Sequence, residues 1–87
     1  MHQDEILQLA ADLRVNAVTD SQIRESLSSV DDLQKLKRVA LDQIEKLKPQ
    51  MAYAGVREEL FHETIRLVGI TLDLEFLVES IDKISAQ

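Results

Sequence analysis

The sequence predicts an all-α fold: one domain over residues 1–87, a small helical bundle of four or five helices, with a long C-terminal helix that is either central or at a dimer interface. Three observations lead there. Two glycines and one proline leave little material for hairpin turns. The apolar residues make up 45% of the chain and are mostly aliphatic, enough for a packed core and too many for a disordered segment. The third observation is the last third, Val56 to Ser85, which contains no proline and carries two apolar stripes at helical spacing. Leu67, Ile70, Leu74, Leu77, Ile81 and Ile84 step by 3, 4, 3, 4 and 3, while Ile65, Val68, Leu72 and Phe76 step by 3, 4 and 4 on an adjoining face. A surface helix needs one such stripe, so two imply contact on two sides.

The elements follow in order. A first helix is expected from about Asp4 to Arg14, capped by Asp4, with Ile6, Leu9, Ala10 and Leu13 on one face. Val15 to Val18 then interrupts it as an apolar loop. Thr19 and Gln22 fit a capping box, opening a short second helix that runs to about Ser28 with Ile23 and Leu27 inward. Ser29 and Asp32 supply the next cap. The third helix is expected over roughly Val30 to Lys48. Its stripe of Leu33, Leu36, Ala40, Ile44, Leu47, Met51 and Ala54 passes straight through Pro49, which predicts a kinked but directionally continuous segment. Gly55 is the natural break before the last helix. Within that helix, Val68 to Phe76 also alternates apolar and polar, a strand pattern. Helix is the reading adopted, because the flanks continue at helical spacing and only the weak Arg14–Thr19 segment offers a partner strand.

Composition narrows function by exclusion. With no cysteine, disulfides and thiolate metal sites are absent. The opening Met1-His2-Gln3-Asp4-Glu5 is acidic where a signal peptide would be basic, and no apolar run approaches membrane length, so a cytoplasmic chain without membrane contact is expected. The net charge of −6 is uneven: −5 over residues 1–32, +3 over 33–56 and −4 over 57–87. An acidic whole disfavours non-specific nucleic-acid binding.

No catalytic set emerges. Only His2 and His62 could serve as imidazole bases, and no glycine-rich phosphate loop is present. A non-enzyme without cofactor or metal is the expectation, acting as a small acidic protein-binding module: an adaptor or inhibitor of a larger intracellular protein. The basic residues Lys35, Lys37, Arg38, Lys46 and Lys48 are its candidate partner surface, the alternative being a solvated face of mixed ion pairs. Leu67, Ile70, Leu74, Leu77 and Ile81 are the candidate self-association stripe of a homodimer. An alternative is a DNA-binding regulator with a helix-turn-helix at about 19–38, against which Asp31 and Asp32 weigh. A third reading takes Glu59 and His62 as a Glu-x-x-His pair and adds Glu45 and a second copy to complete a bundle metal site.

Overall fold

The computed structural model describes residues 3–86 as four α-helices and one short 3-10 turn, with no strand among the described residues. Helix α1 spans Gln3–Asn16, α2 Asp20–Leu27, α3 Leu33–Gly55 and α4 Phe61–Ser85, with the 3-10 turn at Glu58–Leu60. The alternating Val68–Phe76 segment lies in the middle of α4.

Local chemistry sets most of the boundaries. α1 extends two residues past Arg14, because the Ala17 N–H still reaches the Leu13 carbonyl at 2.9 Å and Ala17 is buried. Asp4 lies inside its first turn rather than at the cap, where its charge still suits the positive helix end. The Thr19–Gln22 capping box forms as expected: Thr19 accepts from the Gln22 N–H at 3.2 Å, and the Gln22 side chain accepts the Thr19 N–H at 2.9 Å. α3 starts at Leu33 rather than near Val30, with Asp32 as its cap accepting the Lys35 N–H at 3.0 Å. It then runs through Pro49 to Gly55, so the stripe's continuity outweighs the missing proline donor. Near that gap the Gln50 side-chain amide donates to the Lys46 carbonyl at 3.3 Å. α4 starts five residues later than the Val56 boundary, after the turn at Glu58–Leu60.

The long helices α3 and α4 form an antiparallel hairpin. Gln34 meets Ser85 at 3.2 Å and Lys37 meets Asp82 at 2.5 Å at one end, while the Thr71 hydroxyl touches the Met51 sulfur at 3.5 Å toward the other. α1 lies on another side of α4, tied by Arg14 to Asp73 at 3.0 Å. α2 closes the end, with Asp20 on Lys83 at 2.7 Å. The result measures 43 × 23 × 21 Å with a radius of gyration of 13.8 Å, above the ~12 Å of a compact chain of this length.

α4 is the central element, touching α1, α2 and α3. Leu74, Leu77 and Ile81 are fully enclosed between Ile6, Ala10 and Leu13 of α1, Leu36, Ala40 and Ile44 of α3, and Ile23 and Leu27 of α2. Ala10 and Ala40 are small, which brings both neighbouring backbones close to α4. The two polar side chains inside this face are also small. Ser80 is buried, and the Thr71 hydroxyl is satisfied by the Leu67 carbonyl at 2.9 Å.

Two stability outcomes follow. Leu74→Ala removes a fully buried side chain and should lower stability by ~2–5 kcal/mol, whereas Leu72→Ala on the outer face should change it by under ~1 kcal/mol; urea unfolding followed by circular dichroism separates them. Pro49→Ala restores a helix donor at an exposed position and should raise the urea midpoint, by up to ~3 kcal/mol in stability. An unchanged or lowered midpoint would mean that the proline is accommodated without loss.

Candidate functional site

The structure separates the two stripes of α4. Leu67, Leu74, Leu77 and Ile81 are buried in the single chain, and Ile70 packs partly buried against the core. Four of the five side chains expected to meet a second copy are therefore committed to α1, α2 and α3. Spacing says which residues share a face, not which face turns inward.

The other stripe is the one left outside. Phe61 is 62% exposed, Ile65 54%, Val68 43% and Leu72 43%, at steps of 4, 3 and 4 along α4. Phe76, one turn further, is half-buried. Continuing the same spacing past Leu72 reaches Glu75 and then Glu79, so the stripe turns acidic at its C-terminal end. At the other end it abuts Glu58 and Glu59 of the 3-10 turn. Glu59 leans toward Arg57 at 3.6 Å. Glu58, Glu75 and Glu79 have no cationic side chain within 4 Å among the described residues, and all three are exposed.

Gly69 sits between Ile65 and Leu72, one turn from each. Beyond its own helix backbone, a Cβ there would meet no heavy atom within 4 Å. Nothing among the described residues requires a glycine in the middle of this 25-residue helix.

A second apolar feature is a groove of about 480 Å³ between α3 and α4, floored by Ala54, Leu60 and Leu67 and bordered by Pro49 and Tyr53. The Arg57 guanidinium covers the Tyr53 ring at 4.7 Å. Across the groove mouth, Glu63 is paired with Arg66, whose Nε donates at 3.0 Å. That hydrogen bonding holds the Glu63 carboxyl below its usual range and the Arg66 guanidinium above its own.

The basic residues of α3 do not form one surface. At 100° per residue, Lys35 and Lys46 fall on one side and Lys37 and Lys48 on the other. Lys37 is held by Asp82, Lys46 by Asp42 at 3.0 Å and Lys48 by Glu45 at 2.8 Å, while Lys35 and Arg38 have no acidic partner among the described residues. Mixed pairing, the alternative considered from sequence, describes most of this region. In the 19–38 segment, Asp31 and Asp32 are exposed at the end of α3 that a DNA groove would receive. The Glu-x-x-His pair straddles the 3-10 turn and the start of α4, with the His62 ring edge-on to Phe61 at 5.9 Å. Glu45 is engaged by Lys48, and among the described residues no three His, Asp or Glu side chains gather as a metal site.

Among the described residues no helix is long and apolar enough to cross a membrane. The chain matches no protein-family model, no curated protein and no solved structure.

Gly69→Ala tests the free space at the outer face. It should stabilise the isolated chain by ~0.5–1 kcal/mol, measured as a rise in thermal midpoint. A fall would mean that the site is tighter than the geometry indicates.

Proposed function

We propose that this chain is a protein-binding module of the adaptor or inhibitor kind, working through the outer face of α4 rather than through chemistry at a catalytic centre. The observation that supports it is the exposed run Phe61, Ile65, Val68 and Leu72, four large apolar side chains at helical spacing that each keep about half of their surface in water. Single exposed apolar residues are ordinary on protein surfaces, but a contiguous row on one helix face is the geometry of helix-in-groove recognition. A second copy would have to use this outer stripe, because the inner one is occupied.

Site-specific photo-crosslinking tests the surface directly. A photoreactive residue at Val68 should give a discrete adduct in the native host, and Ile65→Asp should remove it. The same probe at Glu25, exposed on α2, should give none. Equal labelling from both positions, or none from Val68, would refute the assignment of this face.

A further inference from the structure

The occupant of this face is constrained by charge. The apolar stripe spans about 16 Å from Phe61 to Leu72 at the rise of an α-helix, and it is acidic at both ends. Glu58 at one end, and Glu75 and Glu79 at the other, have no cationic side chain within 4 Å among the described residues to neutralise them. Covering the stripe would draw these carboxylates into a less polar boundary, where an opposite charge is favourable and a like charge is not.

A second copy does not supply that complement. Laid antiparallel on itself, the stripe brings Glu75 and Glu79 toward the partner's Glu58 and Glu59; laid parallel, each acid meets its own counterpart. The net charge of −6 on each chain adds repulsion in either arrangement. Gly69 supplies an independent hint of what the neighbour is. Its vacant Cβ position, between Ile65 and Leu72, is where the backbone of another helix can approach closely.

Resting on the outer-face reading above, we propose that the partner element is a cationic amphipathic helix of another protein, its apolar stripe on Ile65, Val68 and Leu72 and its basic residues at both ends over Glu58, Glu75 and Glu79. Recognition combines an apolar strip that gives affinity with two acidic ends that fix position and exclude anionic helices.

The test uses the full chain and two synthetic helical peptides of about 18 residues with the same leucine pattern, one flanked by lysine and the other by glutamate. Fluorescence anisotropy should show the leucine–lysine peptide binding at least ~10-fold more tightly than the leucine–glutamate peptide, with affinity falling as salt rises. The triple variant Glu58→Gln, Glu75→Gln, Glu79→Gln should weaken the lysine peptide by ~10-fold. Ile65→Asp should abolish binding, and circular dichroism confirms that each variant is folded. A control triple of equal charge change on exposed acids elsewhere, Glu5→Gln, Glu25→Gln and Asp31→Asn, should leave binding within ~2-fold, since those charges lie off the stripe. Equal loss in both triples would reduce the effect to bulk attraction and overturn the proposal. Equal binding of the two peptides would overturn the charge rule while leaving the apolar face intact. A dimer in sedimentation that Ile65→Asp dissociates and the lysine peptide does not displace would assign the face to a second copy. Failure of the outer face itself is read separately, from the Val68 crosslink.

Discussion

The fold depends on one contact: the inner face of α4 sandwiched between α1 and α3. Leu74, Leu77 and Ile81 have essentially no solvent exposure, and they owe this to two alanines, Ala10 on α1 and Ala40 on α3, each fully buried against the same core. Large side chains project from the central helix, and small ones on the neighbours let the backbones close over them. α1 is only 14 residues and α2 only 8, too short to be stable helices alone in water. Their order therefore rests on the surface that α4 offers, reinforced at its edges by Arg14–Asp73 and Asp20–Lys83. Those exposed pairs contribute little energy individually, but they fix where each short helix lies along α4.

Much of this was legible in the residues. The two stripes of the last helix, the Thr19–Gln22 box, the inward Ile23 and Leu27 and the stripe through Pro49 are all present as read. Each depends on local periodicity or on capping chemistry, which the sequence carries directly. The alternation at Val68–Phe76 resolves as helix because its alternate apolar letters do not share one face. Leu74 and Thr71 face the core, Val68 and Leu72 face outward, and Ile70 and Phe76 lie at the margins.

Orientation is what spacing leaves open. Both stripes are built from large apolar side chains, so hydrophobic character alone ranks neither as the inner one. Two features of the sequence do distinguish them. Extended at its own spacing, the outer stripe runs into Glu75 and Glu79, charges that a core cannot accept unpaired. The inner stripe is bordered by Thr71 and Ser80, both small enough to bury, the Thr71 hydroxyl with the Leu67 carbonyl as its partner. The basic middle shows the same limit of reading a linear sequence. Five cations close in sequence suggest a patch, yet helical geometry distributes them around α3 and three are taken up by nearby acids.

What the fold requires does not account for the outer stripe. Phe61, Ile65, Val68 and Leu72 keep roughly half of their surface in water, so they give back only part of the burial free energy of a core side chain. Polar residues with good helix propensity would serve the isolated helix as well, and alanine would serve it better than Gly69. The solubility lost by exposing the row is offset nearby, where the stripe gives way to carboxylates at both ends. An apolar row that adds little to its own domain, a glycine without an internal reason and acids left unneutralised coincide on one face of one helix. Each is neutral or unfavourable for the chain alone, and all three become favourable together when a helix of opposite charge lies across them.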